Sequence, residues 1–145
     1  RAITRENVLA CREIWMNEEA EFSGDHVNFD SSWSWPKPVQ DGGPKVLLGG
    51  AAGPKTIQDI VEFCDGWMPI SGRHDLEGPI QEVRQAAEDA GRDPKTLEFG
   101  QFGTPGKAEV LESLEEAGVS RAVLWVPPAD ADTVLPILDS YVELL

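Results

Sequence analysis

Two hydrophobic rhythms alternate along the chain. Over residues 4–17 apolar positions recur at helical spacing, with Val8, Cys11, Ile14 and Trp15 as one stripe and Thr4 placed to cap the start. Beyond residue 40 short β-favouring runs at 46–48, 65–70, 97–102 and 121–126 alternate with longer amphipathic stretches. The first of these stretches opens at Pro54 and would bury Ile57, Ile60, Val61 and Cys64. A second, at about 78–90, would bury Ile80, Val83, Ala87 and Ala90, with Gly91 as its stop and Pro94 just past it. A third carries Val110, Leu111, Leu114 and Ala117 inward and ends at Gly118. The last turns Leu135, Leu138, Tyr141, Val142 and Leu145 to the core, with Pro136 near its first turn, where it does least damage.

Strand and helix repeating in this order predict βα units and a parallel sheet, an α/β fold. Right-handed crossovers bring the strand-to-helix loops at 49–55, 71–78, 103–106 and 127–130 to one face, where ligand sites of such folds lie. Between residues 18 and 40 the rhythm lapses. Glu21-Phe22 and Val27-Asn28-Phe29 flank Ser23-Gly24-Asp25, which predicts a hairpin, and Trp33, Trp35, Pro36 and Pro38 form a stiff segment expected to cover a core edge. This insertion joins a helix back to a strand, so it is expected at the end opposite the four loops.

The stretch Lys45 to Thr56, K-V-L-L-G-G-A-A-G-P-K-T, carries the sharpest chemistry. A strand, a glycine corner and a helix start converge free backbone N–H groups and a positive helix end on one spot, an arrangement suited to phosphate. A doubly wound phosphate-binding module has the same local pattern, and strand order separates the two. The formal charge of −14 over 145 residues argues against nucleic acid or a membrane surface, so an anion site here must be built locally by backbone and Lys55. Cys11 and Cys64 both fall on helix faces and read as reduced thiols of a cytoplasmic protein. The chain opens on Arg1, directly in a helix, which reads as processing or as a piece of something longer.

The runs A-E-F-S-G-D-H-V-N-F-D at 20–30, W-S-W-P-K-P-V-Q at 33–40, V-L-L-G-G at 46–50 and C-D-G-W-M-P at 64–69 resemble the luciferase-like oxidoreductases. They are most similar to the branch that uses the deazaflavin F420, as is R-A-V-L-W-V-P-P…V-L-P-I-L-D at 121–139. The resemblance implies a (β/α)8 TIM barrel of which this chain is the C-terminal half, strands five to eight, with a hairpin-like insertion at about 18–40. It implies an oxidoreductase or monooxygenase moving hydride between F420, or alternatively the flavin FMN, and a small organic substrate. In relatives the loop after the fifth strand helps to hold the cofactor phosphate. Residue by residue this is Gly49, Gly50, Ala51, Ala52, Gly53, Pro54, Lys55 and Thr56. The residues that hold the ring and substrate belong to the first half, so no catalytic residue is assigned and this piece alone is expected to be inactive.

The remaining candidates read as ordinary structure. Arg73 and His74 lie on the loop face, where most such residues are simply solvated, and His26 belongs to the insertion. Glu109, Glu112, Glu115 and Glu116 form the wet side of a helix, and no His, Cys, Asp or Glu group has metal-ligand spacing. Trp67 and Trp125 are expected as core or pocket wall. Four parallel strands leave two bare edges, so a partner is expected across them: the other half of the barrel or a second copy. The alternative function is a non-catalytic half-barrel that folds or self-associates without cofactor.

Overall fold

The computed structural model describes residues 1–73 and 76–144. Helix α1 (Ala2–Met16) leads into an antiparallel hairpin, β1 (Glu19–Ser23) and β2 (Asn28–Trp33). Four βα units follow: β3 (Leu47–Leu48) with α2 (Pro54–Phe63), β4 (Gly66–Trp67) with α3 (Glu77–Asp89), β5 (Glu98–Thr104) with α4 (Ala108–Glu116), and β6 (Arg121–Leu124) with α5 (Ala131–Val142). The four strands are parallel and sit side by side in chain order, β3-β4-β5-β6. A doubly wound module reverses its strand order at a switch point, and this sheet does not. It is an arc of a (β/α)8 barrel.

One face of the arc carries the core. Leu48, Trp67 and Phe99 are neighbours across the ladders and meet Ile60 of α2, Ile80, Val83 and Ala87 of α3 and Leu114 of α4. Ile60, Ile80, Val83 and Ala87 are wholly buried, as their helical spacing demands. Between β4 and β5 the backbones come so close that a Cβ on Gly66 would overlap the Glu98 carbonyl, which makes that glycine obligatory.

Several expectations need correction. Helix α1 begins two residues before Thr4, because the Arg1 carbonyl accepts from Arg5 N–H at 2.8 Å; Thr4 is therefore inside the first turn and caps nothing. The third strand extends to Thr104, while the second shortens to Gly66–Trp67 with a single further bridge, Ile70 to Phe102. Ala90 is exposed on the wall of a groove of about 560 Å³ between α2 and α3. In α5 the inward stripe is Val134, Ile137 and Tyr141, whereas Leu135, Leu138 and Val142 are 55%, 43% and 66% exposed. Tyr141 sets this rotation by donating to the Trp125 carbonyl at 2.7 Å. Pro136 falls in the helix interior, beyond the first turn, and Leu145 lies outside the described residues.

The hairpin also departs from expectation. It leaves the C-terminal end of α1 but folds back along it, so its turn lies against Glu6. That carboxylate accepts from the backbone N–H groups of His26 (2.7 Å), Val27 (2.9 Å) and Asp25 (3.2 Å). These bonds, led by His26, hold the Glu6 carboxyl below its ordinary value against the opposing effect of burial. Trp33 and Trp35 stand out in solvent, 78% and 63% exposed, and cover no core edge; Lys37 lies over the Trp35 ring and donates to the Ile14 and Asn17 carbonyls that end α1.

Candidate functional site

The C-terminal ends of the strands define the mouth of the arc, and the first loop there is built on Trp67. Its indole fills the core at 1% exposure while its Nε1–H donates to the Gly50 carbonyl at 2.9 Å. Gly50 has φ +91°, a left-handed turn that swings the chain out of β3 towards α2, and a side chain there would meet nothing within 4 Å. The turn tightens where Gly53 N–H donates to the Ala51 carbonyl at 2.9 Å.

Gly53 then stands at the cap of α2 with no side chain accepting from the first turn, and Pro54 follows at its start. The backbone N–H groups of Lys55 and Thr56 have no intrahelical partner by the geometry of a helix start. The corner is open beside Gly53 as well as Gly50. It offers uncapped donors, a positive helix end and the exposed Lys55 side chain, a donor set suited to an anion. Gly49, Gly50 and Ala51 are exposed; Ala52 is half-buried against the core. The Thr56 hydroxyl is the member that turns away: it is buried and accepts from the Arg1 guanidinium at 2.9 Å, which also pairs with Asp59.

The other loops bring further cations to the same mouth. Among the described residues, Arg1, Arg5, Arg12 and Arg121 are ion-paired, and Lys37 and Arg92 bind backbone carbonyls. Lys55, Arg73 and Lys107 have no such partner, and each lies on a loop or helix start at the mouth. No sequence motif marks Lys107, directly ahead of α4; its only signal is position. Under the third loop the buried Thr104 hydroxyl donates to the Gln101 carbonyl (3.2 Å) and its Oε1 (3.1 Å). His74 lies outside the described residues, and His26 is exposed on the hairpin turn.

Of the two tryptophans expected in strands, Trp67 is core and Trp125 is just past β6, 56% exposed. Burial, with Asp65 adding to it, pushes the Cys64 thiol up to about 11, so it is protonated and unreactive at neutral pH; Cys11 is also free. Among the described residues no cluster of His, Cys, Asp or Glu converges to hold a metal, and no helix is long and apolar enough to cross a membrane.

The sequence profile of the luciferase-like monooxygenases matches residues 1–133. The chain belongs to this family. An uncharacterised protein of Mycobacterium tuberculosis (strain H37Rv) is 34% identical over 147 aligned residues, covering 100% of this chain and 49% of that protein. A 5,10-methylenetetrahydromethanopterin reductase of Methanolobus tindarius is 29% identical over 101 residues, 68% of this chain and 29% of the reductase. In fold the luciferase-like chain is similar to an F420-dependent secondary alcohol dehydrogenase solved with an F420-acetone adduct, with TM-score 0.54 and 16% identity over 97% of this chain and 52% of the other. A monooxygenase from Streptomyces bottropensis gives TM-score 0.55 and 20% identity, over 96% and 43%. The chain thus spans about half the length of the curated relatives it matches most fully.

Proposed function

We propose that this chain forms the phosphate-holding half of an oxidoreductase that uses F420, or alternatively FMN, to move hydride to or from a small organic substrate. The observation that carries the reading is the open corner at residues 49–56, where an uncapped helix start and a left-handed glycine leave room for a phosphate. The backbone N–H groups of Lys55 and Thr56 would donate to its oxygens and the Lys55 ammonium would neutralise it. Arg73 and Lys107 raise the local potential in a chain otherwise strongly acidic, at −14. Thr56 acts through its backbone, because Arg1 claims its hydroxyl.

When bound, the deazaflavin or flavin ring supplies the hydride chemistry; the protein binds, orients and excludes water. The exposed Ile70, Phe102 and Trp125 give the mouth an apolar wall beside the anion corner. No side chain of this chain is assigned a proton-transfer role. The mycobacterial relatives are about twice as long, and the activity belongs to a protein of that span, with this half alone inactive. Two free cysteines fit a cytoplasmic setting.

Fluorescence titration with F420 and, separately, FMN tests the reading. Binding of either is expected, weakened by Lys55→Glu at least tenfold and less at higher salt. Failure of both cofactors to bind the chain and a form extended to the length of its relatives sinks it. The second reading, a half-barrel that folds without cofactor, is favoured by one observation: the helix-side core from Trp67 to Leu114 is made of this chain's own apolar side chains.

A further inference from the structure

Aspartate is followed by glycine twice in the chain, at Asp41-Gly42 and Asp65-Gly66, and the fold treats the two pairs in opposite ways. With glycine next, no Cβ shields the following backbone nitrogen from the carboxyl. How often the two groups meet then depends on how freely the pair moves.

Asp65 is held on every side. Its carboxylate accepts from the Arg12 guanidinium and the Val46 N–H, both at 2.8 Å, and its side chain is 16% exposed. Its own N–H donates to the Val46 carbonyl at 2.7 Å, and its carbonyl accepts from Glu98 N–H at 2.8 Å. Gly66 lies against the Glu98 carbonyl without room for a Cβ. A carboxyl so tied cannot swing onto the Gly66 nitrogen without breaking bonds to two neighbouring segments. Asp41 has none of these restraints. It is exposed in the turn between the hairpin and β3, which closes where Gly43 N–H donates to the Gln40 carbonyl at 3.0 Å. Gly42, third in the turn, has φ +75°, as a type II turn requires, and a Cβ there would meet nothing within 4 Å. Among the described residues neither its N–H nor the Asp41 carboxylate has a hydrogen-bond partner.

We propose that Asp41 is a site of spontaneous aspartyl isomerisation and that Asp65 is protected from it. The Gly42 nitrogen bonds to Cγ of the protonated Asp41 carboxyl; the amide proton and the carboxyl hydroxyl leave as water, and a five-membered succinimide closes. Water then opens the ring at either carbonyl. Opening at Cγ restores aspartate. Opening at the α-carbonyl leaves the main chain running through Cβ and Cγ, an isoaspartyl linkage with a free α-carboxylate. Nothing is oxidised or reduced, and the mass is unchanged. The linkage lengthens the connection from hairpin to β3 by one carbon. Its carboxylate is the group that S-adenosylmethionine-dependent isoaspartyl methyltransferases esterify. Neither the anion corner nor a cofactor enters this chemistry.

Peptide mapping of the chain after prolonged warm incubation tests it, with radiolabelled methyl transfer by an isoaspartyl methyltransferase as a second readout. Isoaspartyl product at Asp41 should exceed that at Asp65 by roughly tenfold or more in the folded chain. In guanidinium chloride the two sites should form it at comparable rates. Asp41→Glu should abolish methyl transfer at this turn and leave the far-UV circular dichroism spectrum unchanged. Asp41→Asn closes the same ring with loss of ammonia, so its intact mass should rise as the amide becomes an acid. Absence of product at Asp41, or equal yields at both sites in the folded chain, overturns the proposal. So does an excess at Asp41 that persists undiminished in denaturant, which would assign the difference to neighbouring sequence and not to the fold.

Discussion

Trp67→Phe separates the two duties of the residue that joins the core to the anion corner. The indole is 1% exposed, and its Nε1–H is the side-chain donor that holds the Gly50 carbonyl, at 2.9 Å. Phenylalanine keeps one ring in place and removes the donor. The lost hydrogen bond costs about 1 kcal/mol net. The space of the missing ring portion, within the core that Trp67 shares with Ile60, Ile80 and Phe99, costs roughly 1–2 kcal/mol more. Urea unfolding at fixed protein concentration should therefore show a loss of about 2–3 kcal/mol with little change in slope. Phe99→Leu is the control: it opens the same core from the next strand and leaves the Gly50 bond intact. Hydrogen exchange of the Gly53 amide, which donates to the Ala51 carbonyl, distinguishes the pair, because it should quicken in Trp67→Phe and stay unchanged in Phe99→Leu. If both variants loosen the loop equally, or neither does, the corner is held by something other than this bond.

Other expectations follow from single observations. Arg92 donates to the carbonyls of Ile60, Val61 and Cys64 at the end of α2, so Arg92→Met should cost about 2–3 kcal/mol in thermal or urea unfolding, with Arg92→Lys recovering part of it. Ile80→Ala, at a wholly buried position, should cost about 2–5 kcal/mol by the same measurement. The Glu6 carboxyl is held below its ordinary 4.5, so its stabilisation is complete above that pH and fades as pH falls through the lower folded value. Melting temperatures of the wild type and Glu6→Gln should accordingly differ at neutral pH and converge in acid; a gap that persists when Glu6 is protonated refutes the role of its charge. With Cys64 pushed up to about 11 and buried, a thiol reagent at pH 8 should label Cys11 first, and Cys64 only on unfolding.

The parallel arc was legible because its helices pack on one side only: Ile60, Ile80, Val83 and Ala87 show helical spacing that burial then honours. The corner at 49–56 was legible for a local reason, since glycine and proline report backbone shape directly. What failed depended on partners distant in sequence. The rotation of α5 follows from one hydroxyl reaching Trp125, and apolar residues on both of its sides gave the periodicity nothing to choose between. The turn of the hairpin was readable, but its course along α1 was not, because a buried glutamate anchoring three amides looks in sequence like any surface acid. Likewise Lys107 gains its interest only from what fails to pair with it.

Helices α1 and α2 run alongside each other and are cross-tied at successive levels: Arg1 to Asp59, Arg5 to Glu62, and Arg12 to Asp65 and the Phe63 carbonyl. Each tie is worth little alone near the surface. Sliding one helix by a turn, about 5.4 Å, would break all of them together. The pair is therefore indexed like a rack against a pinion, with one axial setting. Glu6, on which the hairpin tip is seated, directly follows Arg5 in the chain, so one short helix both anchors the hairpin and registers α2.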